Sequence, residues 1–495
     1  MGGSCRFEIS RRNFTLKRVF WSSRKHGDGV LALEILRGKN GLLCIADLMS
    51  GFMSSPQQSA RVSPVIETGA TETDDREVSN CVMLSSKSDD HSLGYAGAFM
   101  EGHETAPIVL VHGIFGFGSQ KMGHLSYWGG AEKQDDRILA PDLGALSSIH
   151  DRACELFYYL KGGTVDYGAE RSQKYGHSRF GHTYHQGHYP EWDSKHPVHL
   201  VGHSTGAQVI RLLQNMLADK CFPGHDSTSA DWVLSVTSLS GALNGTTRVY
   251  YDGIRAEDGK SMKSFSLLQV LRVGVLLYEW LDIPFLKRYY DFGFDHYNLQ
   301  WHKAGITGLL DTLFNRSGPF VHDNWVLPDL SIQSSVELNK KLRTFDKTFY
   351  FSYATKGTKR WFSLWTLPGS IFSTHPLLFI RSLQICLWRH PEDLPLPYEG
   401  YRDEDWQDND GALNTISQLY PCLPCVHSNC ELGADLNDLK DGRVLQPGIW
   451  YYSTLVADHI YFIINRERAG VHFDVLYDNI FQRCRKQIKP SLISS

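Results

Sequence analysis

From residue 107 onward the chain alternates short apolar runs with polar and amphipathic stretches. Residues 107–113 read Pro-Ile-Val-Leu-Val-His-Gly, an apolar run closed by glycine, as expected of a strand buried on both faces. Residues 137–142, 198–202, 232–239 and 348–353 supply further runs of the same kind. After the third of them, residues 207–217 carry apolar positions at helical spacing. Strands alternating with helical segments predict an α/β fold, a mostly parallel central sheet with helices on both faces. Residues 54–104 are rich in Ser, Thr, Asp, Glu and Gly and poor in large apolar side chains, so they read as a linker. The expected organisation is an N-terminal extension over residues 1–104, targeting or disordered, and one large domain over residues 105–485.

Composition narrows this picture only slightly. The 495 residues are 42% hydrophobic, enough for a sizeable core, and carry a formal net charge of −4, which gives no reason to expect a nucleic-acid partner. The ten cysteines are scattered and do not settle the redox compartment. Asn-x-Ser/Thr triplets at Asn13, Asn244 and Asn315 are weak evidence of secretion, because such triplets are common by chance. No apolar run reaches the ~18 residues of a membrane span. The first 25 residues are rich in Arg, Lys and Ser with Glu8 their only acid, which suits a transit peptide and a basic tail equally. A myristoylation start is not expected, because Arg6 stands where Ser or Thr is required. The compartment is therefore open, with organelle targeting and membrane association both compatible and no clear signal peptide.

The chemistry concentrates at Gly202-His203-Ser204-Thr205-Gly206, a G-x-S-x-G pentapeptide set between an apolar strand and a helical segment. A sharp turn there would expose the Ser204 hydroxyl at a helix N-terminus. A serine hydroxyl is a poor nucleophile at neutral pH and needs a base, which in turn needs an orienting carboxylate. In this chain order the acid and then the histidine should follow the serine. Among later histidines, His459 in Ala457-Asp458-His459 fits the loop after a last strand, although spacing alone does not separate it from His472. An oxyanion hole needs backbone N–H groups aimed at the developing charge. The expected donors are Thr205, just after the nucleophile, and Ile114 in the His112-Gly113-Ile114-Phe115-Gly116 loop.

These residues and several longer strings resemble the zinc-containing thermoalkalophilic bacterial lipases and their staphylococcal and plant lipase-like relatives. The strings include Tyr-Trp-Gly-Gly at 127–130, Asp-Arg-Ala-Cys-Glu at 151–155, Gly-Gly-Thr-Val-Asp-Tyr-Gly at 162–168 and Asn-Asp-Gly at 409–411. The resemblance implies an α/β-hydrolase fold with a helical lid, near residues 250–290, and a small inserted subdomain. It also implies a triad of Ser204, Asp410 and His459, selecting Asp410 from a crowd that includes Asp403, Glu404, Asp405 and Asp408. The family's structural zinc would fall on Asp151, His177 and Asp295, but its fourth ligand position holds Arg171, which cannot ligate. Two readings follow: His182, His185 or His188 close by supplies the missing ligand, or, the slightly favoured one, Arg171 replaces the cation and pairs with Asp151 or Asp295. Calcium is not expected, because Tyr461 and Arg466 replace the family's acids. Residues 265–286 are dense in Leu, Val, Tyr and Trp, and lie where the family has its lid. The apolar stretch over residues 361–388 is expected to be core. The spacing of Cys422, Cys425, His427 and Cys430 is metal-like, but the resemblance offers no equivalent, so they are read as incidental thiols.

The expected function is a serine carboxylic-ester hydrolase acting on lipid esters at a lipid surface, a triacylglycerol lipase, with no cofactor required. A phospholipase, galactolipase or acyltransferase uses the same triad, and a non-catalytic hydrolase-fold binding protein is the alternative of another class.

Overall fold

The computed structural model describes residues 106–119, 121–361, 365–369, 374–423, 433–435, 445–464 and 471–486. The N-terminal extension and linker, Asn13, Cys425, His427, Cys430 and Arg466 lie outside the described residues.

Eleven strands are described: β1 Ile108–Val111, β2 Ile138–Leu139, β3 Gly163–Asp166, β4 Phe180–Tyr184, β5 Val198–His203, β6 Val233–Leu239, β7 Phe349–Thr355, β8 Thr358–Trp361, β9 Trp365–Pro368, β10 Gly433–Asp435 and β11 Trp450–Leu455. Seven of them form one sheet in the order β10-β11-β7-β6-β5-β1-β2, with every pairing parallel. β1, β5 and β7 are buried along their whole length, which explains why their sequences run apolar without alternation.

Helices cover both faces of this sheet. Ile149–Lys161 and Gly206–Ala218 pack Phe157, Leu160, Val209 and Leu213 into a core with Val109, Leu200, Val236 and Tyr350. Ser148 caps the first of these helices by accepting the Asp151 N–H at 3.1 Å. On the other face the helix Val471–Lys486 sets the Arg483 guanidinium 5.4 Å from the Phe351 ring and 5.6 Å from that of Tyr353. Those two residues alternate along β7 with Tyr350, so they point away from the first core. The fold is thus the expected α/β-hydrolase-like one.

Two antiparallel hairpins decorate the sheet. β3 and β4 enclose the short helix Ala169–Tyr175 and form a small insertion, and β8 pairs with β9. Within residues 250–290, the helix Leu267–Leu281 buries Leu268, Arg272, Val275, Leu276 and Glu279, one face at helical spacing. Its Leu267, Val270, Val273 and Leu281 remain exposed, as do Phe285 and Leu286 on the next helix, Pro284–Tyr289. The apolar stretch beyond β8 is only partly core. The helix Pro376–Cys386 buries Leu378, Ile385 and Cys386 while Leu377, Ile380 and Leu383 face outward. Among the described residues, no helix is long and apolar enough to cross a membrane.

Candidate active site

Ser204 sits in the turn between β5 and the helix Gly206–Ala218 with φ at 55°, a left-handed conformation that costs a non-glycine residue about 1–2 kcal/mol. The turn is pinned by backbone bonds: Ser204 N–H donates to Leu239 O at 3.0 Å, and Ala242 N–H donates to Ser204 O at 3.1 Å. The glycines around the serine are required by space. A Cβ on Gly202 would lie 2.5 Å from the backbone of Gly206, and one on Gly206 would lie 2.1 Å from the carbonyl oxygen of Val111. Gly206→Ala is therefore expected to cost about 3 kcal/mol or more, since backbone cannot give way as a flexible side chain does. Urea denaturation of the purified variant measures this, and an unchanged midpoint would remove the packing argument.

The loop after β1 passes over the elbow serine so closely that a Cβ on Gly113 would meet Ser204 Cβ at 2.8 Å. In this loop the N–H of Gly113 goes to Tyr127 Oη, that of Phe115 to Ala145 O and that of Gly116 to Gly113 O. Phe115 itself has a positive φ of 56°. His112 is buried with its pKa lowered to about 3 by desolvation and by the Arg152 charge, so the ring is neutral. Its Nε2 accepts the Leu143 N–H at 3.1 Å and its Nδ1 faces Gly113 O at 2.9 Å, which holds the loop in register.

The fold brings Asp410 and His459 together. His459 Nδ1 lies 2.8 Å from Asp410 Oδ2, and the carboxylate is wholly enclosed. The same oxygen accepts from Thr355 Oγ1 at 2.7 Å and Gln418 Nε2 at 2.9 Å. Oδ1 takes the N–H groups of Ala412 and Leu413 at 2.9 and 2.8 Å. Burial alone would raise the Asp410 pKa, but the His459 charge and hydrogen bond and the two backbone bonds outweigh it and hold the carboxyl below its ordinary value. The neighbouring acids are engaged elsewhere: Asp408 with Lys356 and Thr358, Asp405 with Arg402. His472 is exposed at the start of the helix Val471–Lys486.

A chain of bonds joins these parts, and nothing in the sequence pattern announced it. Gly113 N–H donates to Tyr127 Oη at 2.9 Å, and the Tyr127 hydroxyl lies 2.7 Å from His203 Nδ1. His203 Nε2 lies 3.1 Å from the carbonyl oxygen of His459, and the two imidazole centroids are 4.8 Å apart. The only consistent assignment has Tyr127 donating to Nδ1 and His203 donating from Nε2. Burial and the nearby His459 keep the His203 pKa well below its ordinary value, so the ring is neutral as this chain requires. The residue before Ser204 thereby anchors both the loop over that serine and the backbone of His459. On the far side Arg152 donates to Thr205 Oγ1 at 2.8 Å and to His112 O. Its pKa, lowered to about 10 by burial, still leaves it protonated at neutral pH.

A second cluster lies beside the β3–β4 insertion. Asp151, His177 and His296 present ligand atoms all within 4.8 Å of one another, a group of a kind that holds metal ions. His296 takes the place expected of Asp295. The short turn Asp295–Tyr297 turns His296 inward, its ring 4.5 Å from that of Tyr167. The Asp295 side chain is 63% exposed and bonds Gln300 Nε2 and Lys287 Nζ instead. Arg171 Nε is 3.2 Å from Asp151 Oδ1, so of the two aspartates it is Asp151 that Arg171 pairs with. A cavity of about 640 Å³ opens next to this cluster, lined by Glu155, His182, His296 and Asp295 among others, but not by Ser204, Asp410 or His459. Tyr461 packs its ring on Phe462.

The fold and the geometry around Ser204 define a protein of the α/β-hydrolase class. Residues 104–222 match the model of the family described as "Lipase-like, C-terminal domain". The chain is 28% identical over 331 residues to a lipase of Staphylococcus hyicus, covering 64% of this chain and 48% of the relative. It is 27% identical over 407 residues to lipase 2 of Staphylococcus aureus, covering 76% and 53%. The crystal structure of Staphylococcus hyicus lipase superposes with a TM-score of 0.61 at 25% identity, covering 77% of this chain and 96% of that one. These likenesses support a staphylococcal-type lipase family for this chain, which spans about half the length of the curated relatives it matches.

Proposed function

We propose that this chain is a serine carboxylic-ester hydrolase acting on lipid esters, a triacylglycerol lipase working through an acyl-enzyme on Ser204, with residues 105–485 as its hydrolase domain. The observation that carries this reading is the buried Asp410–His459 pair, bonded at 2.8 Å and joined through His203 to an elbow serine at φ 55° under a close-passing glycine loop. In the proposed reaction His459 accepts the Ser204 proton as Oγ attacks the ester carbonyl. The charge that gathers on the carbonyl oxygen is met by the N–H groups of Ile114 and Thr205. Ile114 is the proposed donor because its loop neighbours Gly113, Phe115 and Gly116 spend theirs on other bonds. His459 then returns the proton to the leaving alcohol; a water deprotonated by the same imidazole next attacks the acyl carbonyl, and the imidazolium gives that proton to Ser204 Oγ as the acid leaves. Asp410 holds the ring with Nδ1–H toward itself and stabilises the imidazolium. These steps call on no cofactor.

The lipid substrate and the lipid surface are supported by the apolar side chains left outside. Phe265, Phe285, Ile380 and Trp365 are among the most exposed apolar residues of the domain. We infer that residues 250–290 act as a lid whose outward face meets lipid. The test is turnover of emulsified triolein and of a soluble butyrate ester by the full chain. Release of oleate is the expected result. Cleavage of the butyrate ester alone would keep the serine chemistry and remove the lipid substrate. Cleavage of neither by folded protein would remove the hydrolase.

A further inference from the structure

The cluster at Asp151 has the donor set of a metal site, yet the oxygens of Asp151 are already engaged, while His296 Nε2 is buried without a hydrogen-bond partner. Asp151 is fully buried, and its Oδ1 lies 3.2 Å from Arg171 Nε and 3.2 Å from His150 Nδ1. Its Oδ2 accepts from Asn324 Nδ2 at 2.9 Å and faces His296 Nε2 at 3.5 Å. His177 points Nδ1 at the carbonyl oxygen of Ser178, 2.9 Å away, which leaves Nε2 as the acceptor, and Asn324 Nδ2 stands 3.5 Å from it. Asn324 thus spends its two amide hydrogens on Asp151 Oδ2 and on Tyr297 Oη, 3.0 Å away, while its own carbonyl oxygen accepts from Arg171 Nη2. Arg171 is further held by Ser148 Oγ at 3.3 Å and by the Tyr175 ring, 4.9 Å from its guanidinium carbon.

Charge and space point the same way. A buried carboxylate needs a cation, and a guanidinium fixed at bonding distance is one. A divalent ion would bring two more positive charges against a guanidinium that already neutralises Asp151. It would also have to displace Asn324 from Asp151. With Arg171 present the residues do not fit a metal ion.

We propose that Arg171 is the resident cation of this cluster, so that the protein folds and works without a metal there, and that an imidazole in its place would turn Asp151, His177 and His296 into a zinc site. The change removes the competing charge and supplies a fourth donor, which completes a tetrahedral set. The experiment uses the full chain, purified as wild type, Arg171→His and Arg171→Gln, with bound zinc measured by atomic spectroscopy and Tm recorded with EDTA and with excess zinc. Wild type is expected to carry no stoichiometric zinc and to keep its Tm in EDTA. Arg171→His is expected to bind one zinc and to gain ~5 °C in Tm when zinc stands at 100-fold over its Kd. Arg171→Gln should lose Tm and gain nothing from zinc, since it removes the cation without adding a strong ligand. Wild type that retains one zinc and loses Tm in EDTA would overturn the proposal, as would a folded Arg171→His that binds none. Should Arg171→His fail to fold, the zinc content of wild type decides the matter alone.

Discussion

Replacing Ser204 by alanine is expected to lower kcat on any ester by about 10⁶-fold, leaving only what the oxyanion donors and binding supply. The size of the effect follows from the geometry. The proposed nucleophile is one atom, Ser204 Oγ; Gly113 over it brings no side chain, and the adjacent Thr205 hydroxyl is held by Arg152. Stability should move the other way or not at all. The serine is held at φ 55°, and that conformation serves the hydroxyl, not the fold. Ser204→Gly, which tolerates positive φ, is expected to raise stability by about 1 kcal/mol while being equally inactive. Turnover of a soluble butyrate ester, labelling by a fluorophosphonate probe and thermal melting measure the three effects. Retained labelling in Ser204→Ala would place the nucleophile elsewhere.

The sheet was legible in the sequence because its central strands are buried on both faces and so read as unbroken apolar runs. Each of the five such runs became a strand of the parallel sheet. β11 escaped the same reading. Its sequence Trp-Tyr-Tyr-Ser-Thr-Leu loses burial along its length, and its outer neighbour β10 is only three residues long, so neither shows the aliphatic signal. The elbow at Ser204 was legible because a strand, two space-limited glycines and a helix all leave marks in sequence. Its partners were not. Asp410 differs from Asp405 and Asp408 only in what surrounds it, namely Thr355, Gln418 and His459, all brought in from distant segments. The same limit explains Asp295 and His296. They are adjacent in sequence, and only the turn that buries one and exposes the other distinguishes them. The Tyr127–His203 link is a contact across 76 positions, beyond the reach of any local pattern.

Changing Asp410 to asparagine is expected to lower kcat by about 10⁴-fold with little change in KM, because the defect lies in the base and not in binding. The pattern of bonds dictates the mechanism of the loss. Asparagine keeps one carbonyl oxygen, and the Ala412 and Leu413 N–H groups, which now converge on Oδ1, would claim it. The amide nitrogen would then take the place of Oδ2 and point hydrogens at His459 Nδ1. A donor there forces the imidazole to put its own proton on Nε2, the nitrogen that should accept from Ser204. The substitution also sets the amide against the Gln418 and Thr355 donors, a cost of about 1–3 kcal/mol. The acid limb of the stability profile supplies an independent readout. The wild-type carboxyl has a folded pKa below the ordinary 3.8, so its contribution is fully present above that value and is lost as pH falls through the folded pKa. Asp410→Asn should therefore be less stable at neutral pH and converge on wild type at low pH. A parallel offset at every pH, or a kcat within tenfold of wild type, would mean that Asp410 does not orient His459.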